Sequence, residues 1–377
     1  MKKVELIATA TFGLEAVVKN EVKKLGYKIL SIEDGKITFE SDLAGIARAN
    51  LWLRSADRVL LKVGEFKALS FEELFENTKA LPWDDLITED GKFTVNGKSI
   101  KSQLFSISDC QAIVKKAVVE KMKDKYKIDW FEETGAEYTI QVSLLKDIAT
   151  LTIDTSGQGL HKRGYRKNSV EAPIKETLAA AMIQLSYWNK ERVLYDVLCG
   201  SGTIPIEAAL IGKNIAPGIN RDFVSRYWPM IGKDIWEKEV AEAKQAINDH
   251  HVVIYASDID PNSIAIAKEN AKLAGVEDYI EFSVSDFKKI NYNEPYGILI
   301  TNPPYGERLE DEDKAKSLTR DMGKVFNKLD TWSKYIITSV GGFESIYGKK
   351  ADKERKLFNG TIKVRFYQYY GPRPPRD

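Results

Sequence analysis

The chain reads as an α/β protein: its second half is an open sheet with a buried parallel core, and its first half is a string of smaller α+β units. Three observations predict this. Ile298-Leu299-Ile300 is a short continuous apolar run, the pattern of a strand covered on both faces. It is halted by Asn302-Pro303-Pro304-Tyr305, whose prolines carry no N–H for a ladder, so the chain must turn outward there. Upstream, Val193–Val197 and Val252–Ser257 are β-rich runs closed by glycines or acids and followed by helix starts. In the first 65 residues, strand-like and helix-like stretches follow one another in the order βαββαβ, the order of a ferredoxin-like unit.

Taken in order, Val4–Ala10 reads as a strand and Gly13–Leu25 as an amphipathic helix that Gly26 ends. Ile29–Ile32 and Lys36–Phe39 are strands around Glu33-Asp34-Gly35; a helix over Asp42–Leu51 and a strand over Arg58–Gly64 complete the unit. Next come a helix at Ser70–Thr78, a strand at Lys92–Gly97, a helix at Ser108–Lys125, and strands at Glu137–Leu145 and Ile148–Ser156. The lysines of the long helix are interspersed with Glu120 and Asp124, which suits a solvated face. His161-Lys162-Arg163-Gly164-Tyr165-Arg166-Lys167 combines cations, an aromatic ring and a glycine, so it is a candidate for phosphate contacts.

In the second half, an Ala-rich helix leads from Pro173 to about Tyr187, and Asp196-Val197-Leu198-Cys199-Gly200-Ser201-Gly202-Thr203 forms a glycine turn between a strand and a helix. The glycines allow backbone to approach a ligand, and the helix N-terminus favours a carboxylate or phosphate. Pro205 stands where a dinucleotide fingerprint would need a glycine. Asp258 ends the next strand, where a carboxylate can take both hydroxyls of a ribose; Asp260 is the expected N-cap of a helix opening at Pro261. A further short strand, Phe282–Ser285, ends at Asp286 and Phe287. At Asn302-Pro303-Pro304-Tyr305, the amide oxygen and the Pro303 carbonyl can each accept an N–H from the amino group of a nucleobase, with Tyr305 stacked on the ring. The long interval between Gly202 and Asp258 reads as an insertion; either Arg221, Arg226 and Trp228 hold a nucleic acid there, or its aromatics pack it onto the protein.

Composition narrows the class. The net charge of +1 comes from 56 Lys and Arg against 55 Asp and Glu, so bulk charge announces no nucleic-acid binder. Two cysteines, Cys110 and Cys199, are too few for a disulfide framework and point to a reducing compartment. With three histidines, none placed to serve Cys199 as a base, a cysteine nucleophile and a zinc site are both disfavoured. No leader or membrane span is read in the sequence, and the expectation is a cytoplasmic enzyme that uses no metal.

Asn302-Pro303-Pro304-Tyr305 resembles motif IV of amino methyltransferases that use S-adenosylmethionine, and the likeness extends through Thr301 to Gly306-Glu307-Arg308. The glycine turn resembles motif I of class I methyltransferases, with Leu198 where the commoner form has a first glycine. The 157–166 stretch and the elements before it resemble a THUMP RNA-binding domain. Together they resemble the THUMP-containing guanine-N2 RNA methyltransferases, nearest to the type acting on large-subunit ribosomal RNA. The resemblance implies a ferredoxin-like domain over 1–65, a THUMP domain over 66–167 and a Rossmann-like class I methyltransferase domain over 168–377. It implies that S-adenosylmethionine lies against Asp196, Cys199, Gly200, Ser201, Gly202, Thr203, Asp258, Ile259, Asp286, Phe287 and Asn302, with Asp286 reading the adenine amino group. Asn302, Pro303 and Tyr305 would carry the transfer, and Lys162, Arg163, Arg166, Arg221 and Arg308 would hold the RNA, ribosomal before transfer RNA. Asn302 and Pro303 would orient the amino nitrogen for direct, in-line methyl transfer. A DNA adenine-N6 methyltransferase and a transfer-RNA guanine-N2 methyltransferase fit motif IV equally.

Overall fold

The computed structural model describes residues 3–166, 173–305 and 309–375, which form two compact units. The first comprises the chain up to Ala10, Val18–Leu160 and Arg221–Glu242; the second comprises Thr11–Val17, His161–Asn220 and the chain from Ala243 onward.

The first unit follows the expected order. β1 (Val4–Ala10), α1 (Glu15–Lys24), β2 (Lys28–Glu33), β3 (Lys36–Ser41), α2 (Leu43–Trp52) and β4 (Ala56–Lys67) make the ferredoxin-like part. α3 (Phe71–Lys79), α4 (Trp83–Leu86), β5 (Lys92–Ile100), α5 (Ile107–Tyr126), β6 (Glu137–Leu145) and β7 (Ile148–Asp154) follow. One sheet runs through both parts in the order β2-β3-β1-β4-β7-β6-β5. It is continuous because β4 is long enough to pair with β1 by its first half and with β7 by its second. Helix starts are fixed locally: the Asp42 carboxylate accepts from Gly45 N, and the Ser70 hydroxyl from Glu73 N. Among the elements up to β7, the sequence analysis does not anticipate α4, a single turn anchored by fully buried Trp83.

The second unit contains α6 (Glu176–Leu185), β8 (Leu194–Asp196) and α7 (Thr203–Gly212). After α8 (Lys233–Gln245), most of which belongs to the first unit, come β9 (Ile254–Asp258), α9 (Pro261–Ala274), β10 (Glu281–Val284) and β11 (Ile298–Thr301). α10 (Leu309–Phe326), β12 (Ser333–Thr338), α11 (Phe343–Tyr347), β13 (Lys353–Asn359) and β14 (Ile362–Tyr369) complete it. The sheet order is β10-β9-β8-β11-β12-β14-β13. β10 to β12 are parallel, while β14 runs against both of its neighbours. Apolar clusters cover both faces, one including Leu178, Ile206 and Ile300, the other including Leu299, Phe326 and Phe343. That two-sided cover explains why every residue of β11 and β12 is buried and why these strands read as apolar runs. Strand order reverses between β8 and β11, and ligands of such sheets bind at that switch point, beyond the carboxyl ends.

Candidate active site

The carboxyl ends of β8, β9 and β11 converge, and each carries a polar residue. Asp258 organises the first pair. Its Oδ2 accepts from Gly200 N and its Oδ1 from Asp260 N, both at 3.0 Å, so the end of β9 is tied to the glycine turn after β8. Each carboxylate oxygen keeps a lone pair for a hydroxyl. Gly202 is the N-cap of α7 with φ +80°, and a Cβ there would lie 2.9 Å from the Ala267 Cβ of α9. Glycine is therefore required both by the backbone and by close packing. Gly202 supplies no side-chain cap to α7, so the N–H groups of its first turn can receive an anionic group.

Asp196 sits behind this turn. It is buried, accepts from the Thr301 hydroxyl at 2.9 Å and from Leu198 N at 3.4 Å, and so links motif I to the strand that delivers Asn302. Burial pushes its carboxyl up to about 7, against the pull of the Thr301 hydrogen bond. Burial likewise raises the Cys199 thiol well above its ordinary value, which keeps it protonated and unsuited to nucleophilic attack.

Beyond β11, the Tyr305 hydroxyl donates to Asn302 Oδ1. This corrects the expectation that Tyr305 stacks on the base. Its ring is only 7% exposed and belongs to the apolar core. Its contribution here is to aim the Asn302 amide. Phe287 departs from expectation in a similar way: it packs on Phe326 at 5.5 Å between centroids, in the core. The apolar surface at the strand ends is instead Ile259, 65% exposed, and Val284, 53% exposed, on the neighbouring strand. Val284 had no sequence signal beyond its place at a strand end. The Asp286 carboxylate caps a short 3-10 turn through Lys288 N and lies 3.5 Å from Lys288 Nζ.

The expected RNA contacts divide sharply. Arg163 is a correction: it is buried, and its guanidinium pairs with the fully buried carboxylate of Glu207, which also accepts from the Tyr165 hydroxyl at 3.1 Å. A charge inside the core persists only when paired, so Arg163 is committed to Glu207. Arg166 is also turned inward, donating to Ile174 O and to Thr203 Oγ1 at the start of α7, with Glu176 Oε1 at 3.5 Å. Arg221 donates to Gln158 O and Gly159 O and lies 4.7 Å over the Phe223 ring. These contacts hold its guanidinium against the Gln158–Gly159 backbone. Lys162 is exposed. Arg308 lies outside the described residues. The inserted segment packs by its aromatics: Trp228 is buried, stacks on Tyr138 and donates to Glu137 O, and Arg48 grips Glu239 through two hydrogen bonds.

Comparison with known proteins decides the family. The model of the RMKL-like methyltransferase domain matches residues 163–368, more than half of the chain. The chain belongs to the RMKL-like methyltransferase family. Two further models match ahead of that domain, an RlmL ferredoxin-like domain over 5–60 and a THUMP domain over 68–154. A Bacillus subtilis protein named as an RNA methyltransferase, YpsC, is 55% identical over 100% of this chain and 98% of its own. The ribosomal RNA large subunit methyltransferase K/L of Psychromonas ingrahamii is 34% identical; the match takes in 95% of this chain but 49% of that protein. Among solved structures, SMU.472, a methyltransferase complexed with SAH, is 43% identical with TM-score 0.93, covering both chains fully. A Listeria monocytogenes structure named as an N6-adenine-specific DNA methylase is 53% identical with TM-score 0.94, covering 99% and 97%.

Membership of this family implies S-adenosylmethionine as cofactor, and the residues fit it. Asp258 suits the ribose hydroxyls, Ile259 and Val284 offer apolar surface beside it, and the first turn of α7 suits the methionine carboxylate. Among the described residues, no group of His, Cys, Asp and Glu could hold a metal ion, and no helix is long and apolar enough to cross a membrane.

Proposed function

We propose that this protein, a methyltransferase dependent on S-adenosylmethionine and acting on RNA, methylates the exocyclic N2 amino group of a guanine in large-subunit ribosomal RNA. The observation that carries amino-group transfer is Asn302 at the end of β11. Its amide is aimed by the Tyr305 hydroxyl, and its strand is pinned through Thr301 to Asp196. The bound cofactor supplies an electrophilic methyl on a sulfonium. The protein's part is to hold the amino nitrogen: Asn302 Oδ1 and the Pro303 carbonyl accept its N–H groups, which favours a more nucleophilic nitrogen in a fixed orientation. Asp258 would take the ribose hydroxyls, Asp286 the adenine amino group, and Lys162 a phosphate. RNA is favoured by the THUMP match and by the full-length likeness to YpsC; ribosomal RNA is favoured by the K/L relative and the RlmL-like first domain. The corresponding functional domains are 1–65, 66–167 and 168–377, with residues 221–242 folded onto the first unit.

A second reading, DNA adenine-N6 methylation, draws on the name of the Listeria relative. Mass spectrometry of nucleosides from ribosomal RNA, transfer RNA and DNA, with and without the gene, separates the two. Loss of N2-methylguanosine from large-subunit RNA is expected; a change confined to N6-methyladenine in DNA would overturn the reading. In the purified enzyme, Asn302→Ala should bind cofactor normally yet slow transfer on the order of 10²–10³-fold. Tyr305→Phe should share part of that loss, since it removes the hydrogen bond that aims the amide.

A further inference from the structure

We infer that the β13–β14 hairpin, together with Phe12 at its side, is a platform for the single-stranded RNA that flanks the target nucleotide. The inference rests on the RNA reading above and adds where the strand runs. β12 lies beside β11 with Thr301 opposite Ile336, and β14 lies beside β12 with Ile336 opposite Tyr367. Tyr367 is thus level with the residue just before Asn302. Because β14 runs antiparallel, its first residues project past the carboxyl rim of the sheet. Lys363 stands four residues beyond Tyr367, about 13 Å at the rise of a strand, and two strand spacings, about 10 Å, to the side. That places it within a few nucleotides of Asn302 along an extended strand.

The outward face of the hairpin has the chemistry for such a strand. The register sets Lys356 opposite Arg365 and Phe358 opposite Lys363, so these four share one face. Lys356, Lys363 and Arg365 are exposed. The one acid on that face, Glu354, is paired with Arg365 at 2.7 Å, while Lys356 and Lys363 have no carboxylate partner among the described residues. Phe12 meets Phe358 edge-on, with centroids 6.4 Å apart, and is 56% exposed. Its position is held by the backbone. A Cβ on Gly13 would come 2.9 Å from Lys356 O, and φ there is +91°, so the turn is pressed against β13 as only glycine allows. The nearby Glu15 carboxylate is occupied by Gly13 N at 2.9 Å. An exposed ring beside two cations with no counter-charge among the described residues is the arrangement that stacks a base and follows its phosphates.

The test uses the full chain and three variants: Lys356→Gln with Lys363→Gln, Phe12→Ala, and Phe12→Trp. Binding of a fluorescein-labelled mixed-sequence single-stranded RNA is measured across salt concentrations, cofactor binding by calorimetry, and methyl transfer on ribosomal RNA from cells lacking the gene. In the double variant, the slope of log affinity against log salt should shrink by about 1.4, the contribution of two phosphates on a single strand. KM for RNA should rise while kcat and cofactor affinity hold. Phe12→Ala should weaken RNA binding on the order of tenfold, and Phe12→Trp should restore it. A wild-type enzyme that transfers no methyl to RNA would remove the parent reading and this one with it. An active wild type whose folded double variant keeps the same salt slope and KM would overturn this inference alone. So would a defect seen only on intact ribosomal subunits and not on naked RNA, which would place a protein partner on the platform.

Discussion

At the scale of single residues, Asp258 and Asp196 show how two acids at neighbouring strand ends acquire opposite roles. Asp258 stays partly exposed, with its oxygens spanning the glycine turn and the start of the next helix, so its remaining lone pairs face outward. Asp258→Ala should weaken S-adenosylmethionine binding by roughly 2–4 kcal/mol in calorimetry, since charged hydrogen bonds are lost from the cofactor and from Gly200 together. Unchanged affinity in a folded variant would remove Asp258 from the site. Asp196 is sealed inside, and its carboxyl is raised to about 7. Above its unfolded value near 4 the unfolded chain has released this proton, while the folded protein holds it until about pH 7. Stability therefore falls as pH rises through that window, by on the order of a few kcal/mol. Asp196→Asn keeps an acceptor for Thr301 and should abolish that part of the slope in denaturant titrations between pH 4 and 7. A slope unchanged by the substitution would mean that Asp196 ionises normally.

At the scale of elements, the segment from His161 to Arg166 is the instructive case. Its composition of cations around an aromatic suggested a phosphate-binding loop, and only Lys162 is turned outward. Arg163 and Tyr165 close on Glu207 of α7, and Arg166 braces Thr203 in the first turn of the same helix. The segment thus fastens the helix that follows the glycine turn. Arg163→Ala would leave the fully buried Glu207 carboxylate uncompensated and should cost roughly 3–5 kcal/mol in unfolding experiments. An RNA-binding defect in that variant would accordingly track its loss of stability. Lys162→Ala should leave stability unchanged. If Arg163→Ala proved as stable as the wild type, the buried pair would not hold α7.

At the scale of the whole molecule, the chain is interleaved rather than strung in sequential blocks, and this decides how it can be divided. Residues 221–242 interrupt the methyltransferase match, yet they complete the first unit through the Trp228 stack on Tyr138 and the Arg48–Glu239 pair. A fragment of residues 1–167 should therefore melt well below the intact protein in circular dichroism, and Trp228→Ala in the full chain should cost about 3–5 kcal/mol. A fragment that melts with the first unit of the intact protein would refute this. The sequence by itself determined the strands of the first half, the strands through Thr301 in the second, the glycine turn and the acids at strand ends. Those features rest on interactions within a few residues: period-two and apolar runs, caps such as Asp42 and Asp260, and prolines that end a strand. The order of strands in each sheet, and the elements α8 and α10 to β14, became visible only in the structure. Only the tertiary structure decided which way Tyr305, Phe287, Arg163 and Arg221 point, and which unit the insertion joins. A cation or an aromatic ring can satisfy a ligand, a carbonyl or a buried carboxylate with the same local sequence. The choice among these is made by partners far away in the chain, which only the folded packing brings within reach.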